Sequence, residues 1–63
     1  MTYTIKTHFG TISCENQETM IALRCYLYDV VELNSKAGYD SMAAEVYDWI
    51  NQLKEQEKKA YEG

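Results

Sequence analysis

Thr2-Tyr3-Thr4-Ile5-Lys6-Thr7-His8-Phe9-Gly10-Thr11-Ile12-Ser13-Cys14-Glu15 opens the chain with an alternation of apolar and polar residues around one glycine. From Thr2 to Phe9 the chain alternates with period two and is rich in β-branched and aromatic residues, which predicts a strand. Tyr3, Ile5, Thr7 and Phe9 share one face, and Thr2, Thr4, Lys6 and His8 the other. Gly10 interrupts the pattern. A glycine supplies the positive φ that the first central position of a type II′ turn requires, so Gly10-Thr11 is expected as a two-residue turn. Phe9 then lies opposite Ile12 and Thr7 opposite Cys14. Tyr3, Ile5, Phe9, Ile12 and Cys14 are gathered on one apolar face, and Lys6 meets Glu15 on the wet side. The reading is a β-hairpin over about residues 2–15, which needs something packed on it to be stable.

Helical periodicity takes over after the hairpin. Asn16 is the expected N-cap and Glu18 falls in the first turn, where a helix dipole favours an acid. A helix is predicted from about 17 to 37, ended by Gly38 in left-handed geometry. Met20, Leu23, Leu27, Val30 and Val31 form its main apolar stripe, while Ile21, Tyr26, Tyr28 and Leu33 point elsewhere. Such a helix is either central in the fold or in contact with a second chain. Asp40 or Ser41 is expected to cap a second helix over about 41–61. Its stripe is Met42, Val46, Trp49, Ile50, Leu53 and Ala60, with Ala43 small enough for close approach and Glu55–Lys59 as an i, i+4 ion pair. The expected fold is α+β: an N-terminal hairpin followed by two antiparallel helices, ββαα. Ile5, Phe9 and Ile12 are expected to pack on Leu23, Leu27, Val46, Trp49 and Leu53.

Sixty-three residues allow one domain, taken here as 1–63, with a modest core drawn from 46% hydrophobic residues. Six basic residues against ten acidic ones give a net charge of −4. That is the wrong sign for a protein that neutralises phosphate backbones, so direct nucleic-acid binding is not expected. Between residues 15 and 48 seven acids stand against Arg24 and Lys36, whereas the last ten residues balance three lysines with three glutamates. No apolar run approaches the ~20 residues of a membrane helix. Cys14 and Cys25 follow no leader of signal-peptide form, so a reduced, cytoplasmic setting is expected.

The residues of ordinary catalysis are present but poorly placed. Cys14 faces the expected core and His8 the opposite side of the hairpin, so a thiolate–imidazole pair is not predicted; both thiols are read as buried and inert and His8 as a surface imidazole. Two thiols and one imidazole fall short of a four-ligand zinc site unless two chains pool them. No glycine-rich phosphate loop, HExxH, GxSxG or calcium-loop pattern occurs. The reading is therefore not an enzyme, with no cofactor and no metal.

What is unusual is acid at helical spacing combined with tyrosine. Glu45, Asp48 and Glu55 recur along helix two, with Gln52 between them, as a line of oxygens ~4.5 to 6 Å apart. Glu18, Asp29 and Glu32 mark a face of helix one, and Asp40 stands between the helices. Fixed rows of negative charge on rigid helices suit a basic groove that normally holds a nucleic-acid backbone. Tyr26, Tyr39 and Tyr47, of six tyrosines in the chain, are hard to bury and are expected to contact a partner. The expected partner is a basic nucleic-acid-binding protein such as a nuclease, polymerase or repressor, with a homodimer as a further possibility.

Short length, net negative charge, compact helices and no catalytic motif make the chain similar to the small acidic proteins by which phages and mobile elements block host defence, anti-CRISPR proteins among them. That resemblance implies a non-enzymatic inhibitor, phage or mobile-element encoded and acting in the host cytoplasm. It would occlude the substrate site of a nucleic-acid enzyme, with Cas9 one target of that class. A second resemblance rests on Gly38-Tyr39-Asp40-Ser41-Met42-Ala43-Ala44-Glu45-Val46-Tyr47, which looks like the turn into helix two of the ribbon-helix-helix repressors. It implies a dimeric transcriptional regulator, from which this chain departs by its two strands, its longer first helix and Lys6 as the only strand cation.

Overall fold

A computed structural model describes residues 2–62; Met1 and Gly63, the ends of the expected domain, lie outside the described residues. Strand β1 (Tyr3–Thr7) and strand β2 (Gly10–Cys14) form an antiparallel hairpin, followed by helix α1 (Gln17–Lys36) and helix α2 (Asp40–Glu62). The architecture is the expected ββαα.

The register differs from the expected one. Tyr3 pairs with Cys14, Ile5 with Ile12 and Thr7 with Gly10, so the turn is His8-Phe9, two residues earlier than predicted. Thr7 explains the choice. Its hydroxyl donates to the Gly10 carbonyl at 2.8 Å and accepts from the Phe9 amide at 3.1 Å, a local side-chain closure that competes with a glycine-led turn. His8 and Phe9 keep ordinary negative φ, and Gly10 absorbs the positive-φ step at +136° just after the turn. Phe9, expected in the core, instead sits on the turn, 78% exposed and tilted against His8 with ring centroids 3.9 Å apart. Thr7 no longer meets Cys14, and Lys6 pairs with Thr11 rather than Glu15.

The start of α1 is as predicted: Asn16 is its N-cap, the Oδ1 accepting from the Thr19 amide at 2.8 Å. Its end is a Schellman closure, with the Gly38 amide donating to Ser35 O and the Tyr39 amide to Asn34 O, and Gly38 at φ +86°. The cap of α2 is neither Asp40 nor Ser41. Tyr39 itself takes that place, its carbonyl accepting from Ala43 N at 3.0 Å, so α2 begins at Asp40, whose carboxylate sits in the first turn. One residue thus closes one helix and opens the next, which gives an antiparallel pair with a three-residue connection.

Ile5, Met20, Val46, Ile50 and Leu53 are fully buried, and Tyr3, Cys14 and Leu27 complete the cluster. Each such aliphatic side chain contributes about 1.5–3 kcal/mol by leaving water. Leu23 and Trp49, expected at its centre, are half-buried at its margin, and Ala60 is exposed. Ile12 is 40% exposed although it shares a face with the buried Ile5, because the helices cover β1 far more than β2. A five-residue strand spans ~17 Å and α2 ~34 Å. The hairpin therefore covers only part of the helical layer, leaving Leu33 and Tyr39 bare near the interhelical turn.

Two glutamines fasten the hairpin to α2. Gln56 accepts from the Thr4 amide at 2.8 Å and donates to the Thr4 carbonyl at 2.6 Å. One turn earlier Gln52 does the same for Lys6, at 2.8 and 3.0 Å. Thr4 and Lys6 turn their peptide groups away from β2 in this register, so the glutamines fill the places of a third strand.

Candidate partner-binding surface

The acidic residues expected to meet a partner divide into two rows. Asp29 is nine residues from the buried Met20, half a turn out of phase, so it lies on the back of α1 with Glu18 and Glu32. All three are exposed, and Glu32 is bridged to Lys36 at 3.0 Å. Of the second row, Glu45, Asp48 and Gln52 run along the flank of α2 that borders the hairpin, whereas Glu55 lies farther round the helix, beside Arg24 and Tyr61. Here the expected line of free oxygens is partly used up. Glu45 is half-buried and paired with His8 Nδ1 at the hairpin tip, Gln52 is bound to Lys6, and Asp48 accepts from Gln52 Nε2 at 3.3 Å. The expected Glu55–Lys59 bridge does not form. Among the described residues the ion pairs are Arg24–Glu57 and Lys36–Glu32, while Glu45 contacts the His8 imidazole. Glu15, Glu18, Asp29, Asp40, Asp48 and Glu55 are therefore exposed, without a cationic partner among the described residues.

Tyr26, Tyr39 and Tyr47, expected to be hard to bury, are all exposed. Tyr39, Asp40 and Glu45 come together around a shallow hollow at the start of α2, with Gly38, Ser41 and Met42. Tyr26 lies elsewhere, on the flank of α1 turned away from α2. Arg24 fixes that assignment: it reaches Glu57 of α2 at 3.0 Å, and Tyr26, two residues on, points almost the opposite way.

A third surface escaped the sequence reading. Gln17 donates to the Tyr61 hydroxyl at 2.8 Å, so the ridge Gln17-Ile21-Arg24-Tyr28 of α1 runs along the seam with α2. Tyr47, Lys54 and Tyr61 follow at seven-residue spacing on the matching flank. Ile21, Tyr28, Tyr47 and Tyr61 are all exposed, and a second depression opens between Arg24, Lys54, Glu55, Glu57, Lys58 and Tyr61. The i, i+4, i+7 spacing was visible in the sequence, but only the cross-helix bonds say which ridge borders the seam.

Cys14 is buried at the end of β2 while Cys25 is exposed on α1, a correction to the expectation of two buried thiols. His8, on the hairpin tip, is exposed as expected, and its Nδ1 contacts Glu45. Among the described residues no three His, Cys, Asp or Glu side chains gather as a metal-ligand set, and no helix is long and apolar enough to cross a membrane. Comparison with known proteins gives no match to a family model, to a curated protein or to a solved structure.

Proposed function

We propose that the chain is a non-enzymatic binding protein whose acidic helices occupy the basic nucleic-acid site of a host nuclease or another DNA- or RNA-binding protein, an anti-CRISPR-like inhibitor of phage or mobile-element origin working in the host cytoplasm. The observation that carries this reading is the set of exposed carboxylates without cations on two rigid helices, while Arg24 and Lys36 are spent on internal ion pairs. Charges held on a folded backbone present a fixed potential that steers a basic partner and lose little entropy on docking. Tyr39 and Tyr47 add broad, rigid contact area beside them, and Tyr39 shares its hollow with Asp40 and Glu45. A dimeric ribbon-helix-helix-like regulator has less support, since both strands pair within one chain and Lys6 is their only cation.

The test is capture from a nuclease-treated bacterial lysate by the tagged protein, eluted with rising salt and identified by mass spectrometry. The variant carrying Asp29→Lys, Asp48→Lys and Glu55→Lys is run beside it. The expected result is a basic nucleic-acid-binding protein released by moderate salt and absent from the variant's eluate. Equal capture by the two proteins, or capture of none of this class, rejects the reading.

A further inference from the structure

The two edges of the hairpin are treated differently. Gln52 and Gln56 satisfy the outer edge of β1. In the same antiparallel register Thr11 and Ser13, the partners of Lys6 and Thr4, turn their amides and carbonyls outward on β2. Both residues are exposed. Sheet edges in soluble proteins are ordinarily blunted by a lysine, a proline, a bulge or a covering helix. β2, Gly10-Thr11-Ile12-Ser13-Cys14, carries no proline and no charge.

We infer that the outer edge of β2 pairs with the same edge of a second copy of this chain, antiparallel about a two-fold axis at Ile12. The edge is complementary to itself. In this register Thr11 of one copy lies opposite Ser13 of the other, and each outward amide meets an outward carbonyl. Ile12 meets Ile12 in the closely spaced, non-hydrogen-bonded position, ~4.5 Å between Cα atoms. That contact covers the one strand residue on the core face that the helices leave 40% exposed. Charge does not oppose the contact locally. Glu15 falls opposite Phe9 of the other copy, and the two Glu15 residues are ~20 Å apart along the strands, well beyond the ~8 Å screening length at physiological salt.

The helices support the same arrangement. A two-fold axis normal to the sheet places both helical layers on one face, with the hairpin-side flanks of the two α1 helices toward each other. That flank carries Tyr26 and Leu33, 64% and 67% exposed and seven residues apart. The result is a four-stranded sheet in place of a two-stranded one. At a net charge of −4 per copy the chains repel at long range. Dimerisation therefore strengthens as salt rises, opposite in sign to the capture of a basic partner.

Sedimentation equilibrium of the full chain, from about 10 µM to about 1 mM, spans the range expected of a small interface. The expected result is a monomer–dimer equilibrium whose dimer fraction rises at least several-fold between about 50 mM and about 500 mM salt. Ser13→Pro removes an outward amide and leaves the intrachain ladder intact, so it should leave a monomer. Ile12→Lys places a charge at the axis and should do the same, and circular dichroism checks that each variant is folded. A second readout needs no variant: amide exchange at Thr11 and Ser13 should slow with protein concentration while exchange in α2 does not change. Monomer throughout the range overturns the inference. So does a dimer that persists in a folded Ile12→Lys variant, or one whose formation leaves Thr11 and Ser13 exchange unchanged.

Discussion

Gln56 and Gln52 do for β1 what a neighbouring strand does in a larger sheet, and they do it with side chains. Each amide group presents one donor and one acceptor to the carbonyl and amide of a single residue, and the pair is spaced one helical turn apart to match two strand residues on the same edge. Removing Gln56 strands the part-buried amide and carbonyl of Thr4, so Gln56→Ala should cost about 1–3 kcal/mol in chemical denaturation. Gln52→Ala should cost less, because Lys6 is exposed and water replaces the lost bonds. None of this was legible beforehand: two glutamines four apart on a helix read as solvated surface, and only the tertiary placement of β1 gives them a role. The hydrophobic residues were more readable, with one division the sequence could not make. Ile50 is sealed in the core whereas Phe9 sits on the turn. Ile50→Ala should therefore cost about 2–5 kcal/mol and Phe9→Ala no more than about 0.5 kcal/mol, measured on the same denaturation axis.

At the scale of elements, the hairpin shows how a face can be read correctly and a pairing missed. The observed turn lies two residues before the predicted one, so parity is preserved: Tyr3, Ile5, Ile12 and Cys14 stay on one side while every cross-strand partner changes. The hydrophobic pattern specifies the face. Turn chemistry specifies the register, and there Thr7 outweighs the expected use of Gly10-Thr11. Gly10 still carries its positive φ, and a Cβ built there meets nothing within 4 Å. Gly10→Ala thus isolates backbone strain without a clash, and thermal or chemical denaturation should show a loss of about 1 kcal/mol or more. The helices were legible to within a residue or two because caps and glycine are local signals: Asn16 starts α1 and Gly38 closes it. The start of α2 was less so, since the backbone of Tyr39 provides the cap and no side chain announces it.

For the whole molecule, the fold accounts for which charges are available. The hairpin engages Glu45 through His8, Arg24 pairs with Glu57 across the helix seam and Lys36 with Glu32, while Glu18 and Asp29 on α1 and Asp48 and Glu55 on α2 have no cationic partner among the described residues. Composition revealed the acidity, but not this partition, which depends on where the hairpin docks. Asp29, Asp48 and Glu55 lie mid-helix and clear of the core. Reversing them to lysine should leave the unfolding midpoint nearly unchanged while slowing association with a captured target about tenfold or more at low salt, read by surface plasmon resonance. Occupancy of a nucleic-acid site is tested by competition. The captured target is loaded with its own fluorescent oligonucleotide, and the acidic protein is titrated in while anisotropy is followed. Full displacement is expected, with an apparent affinity that falls as oligonucleotide concentration rises. A ternary complex, in which the protein binds and the oligonucleotide stays, would contradict it.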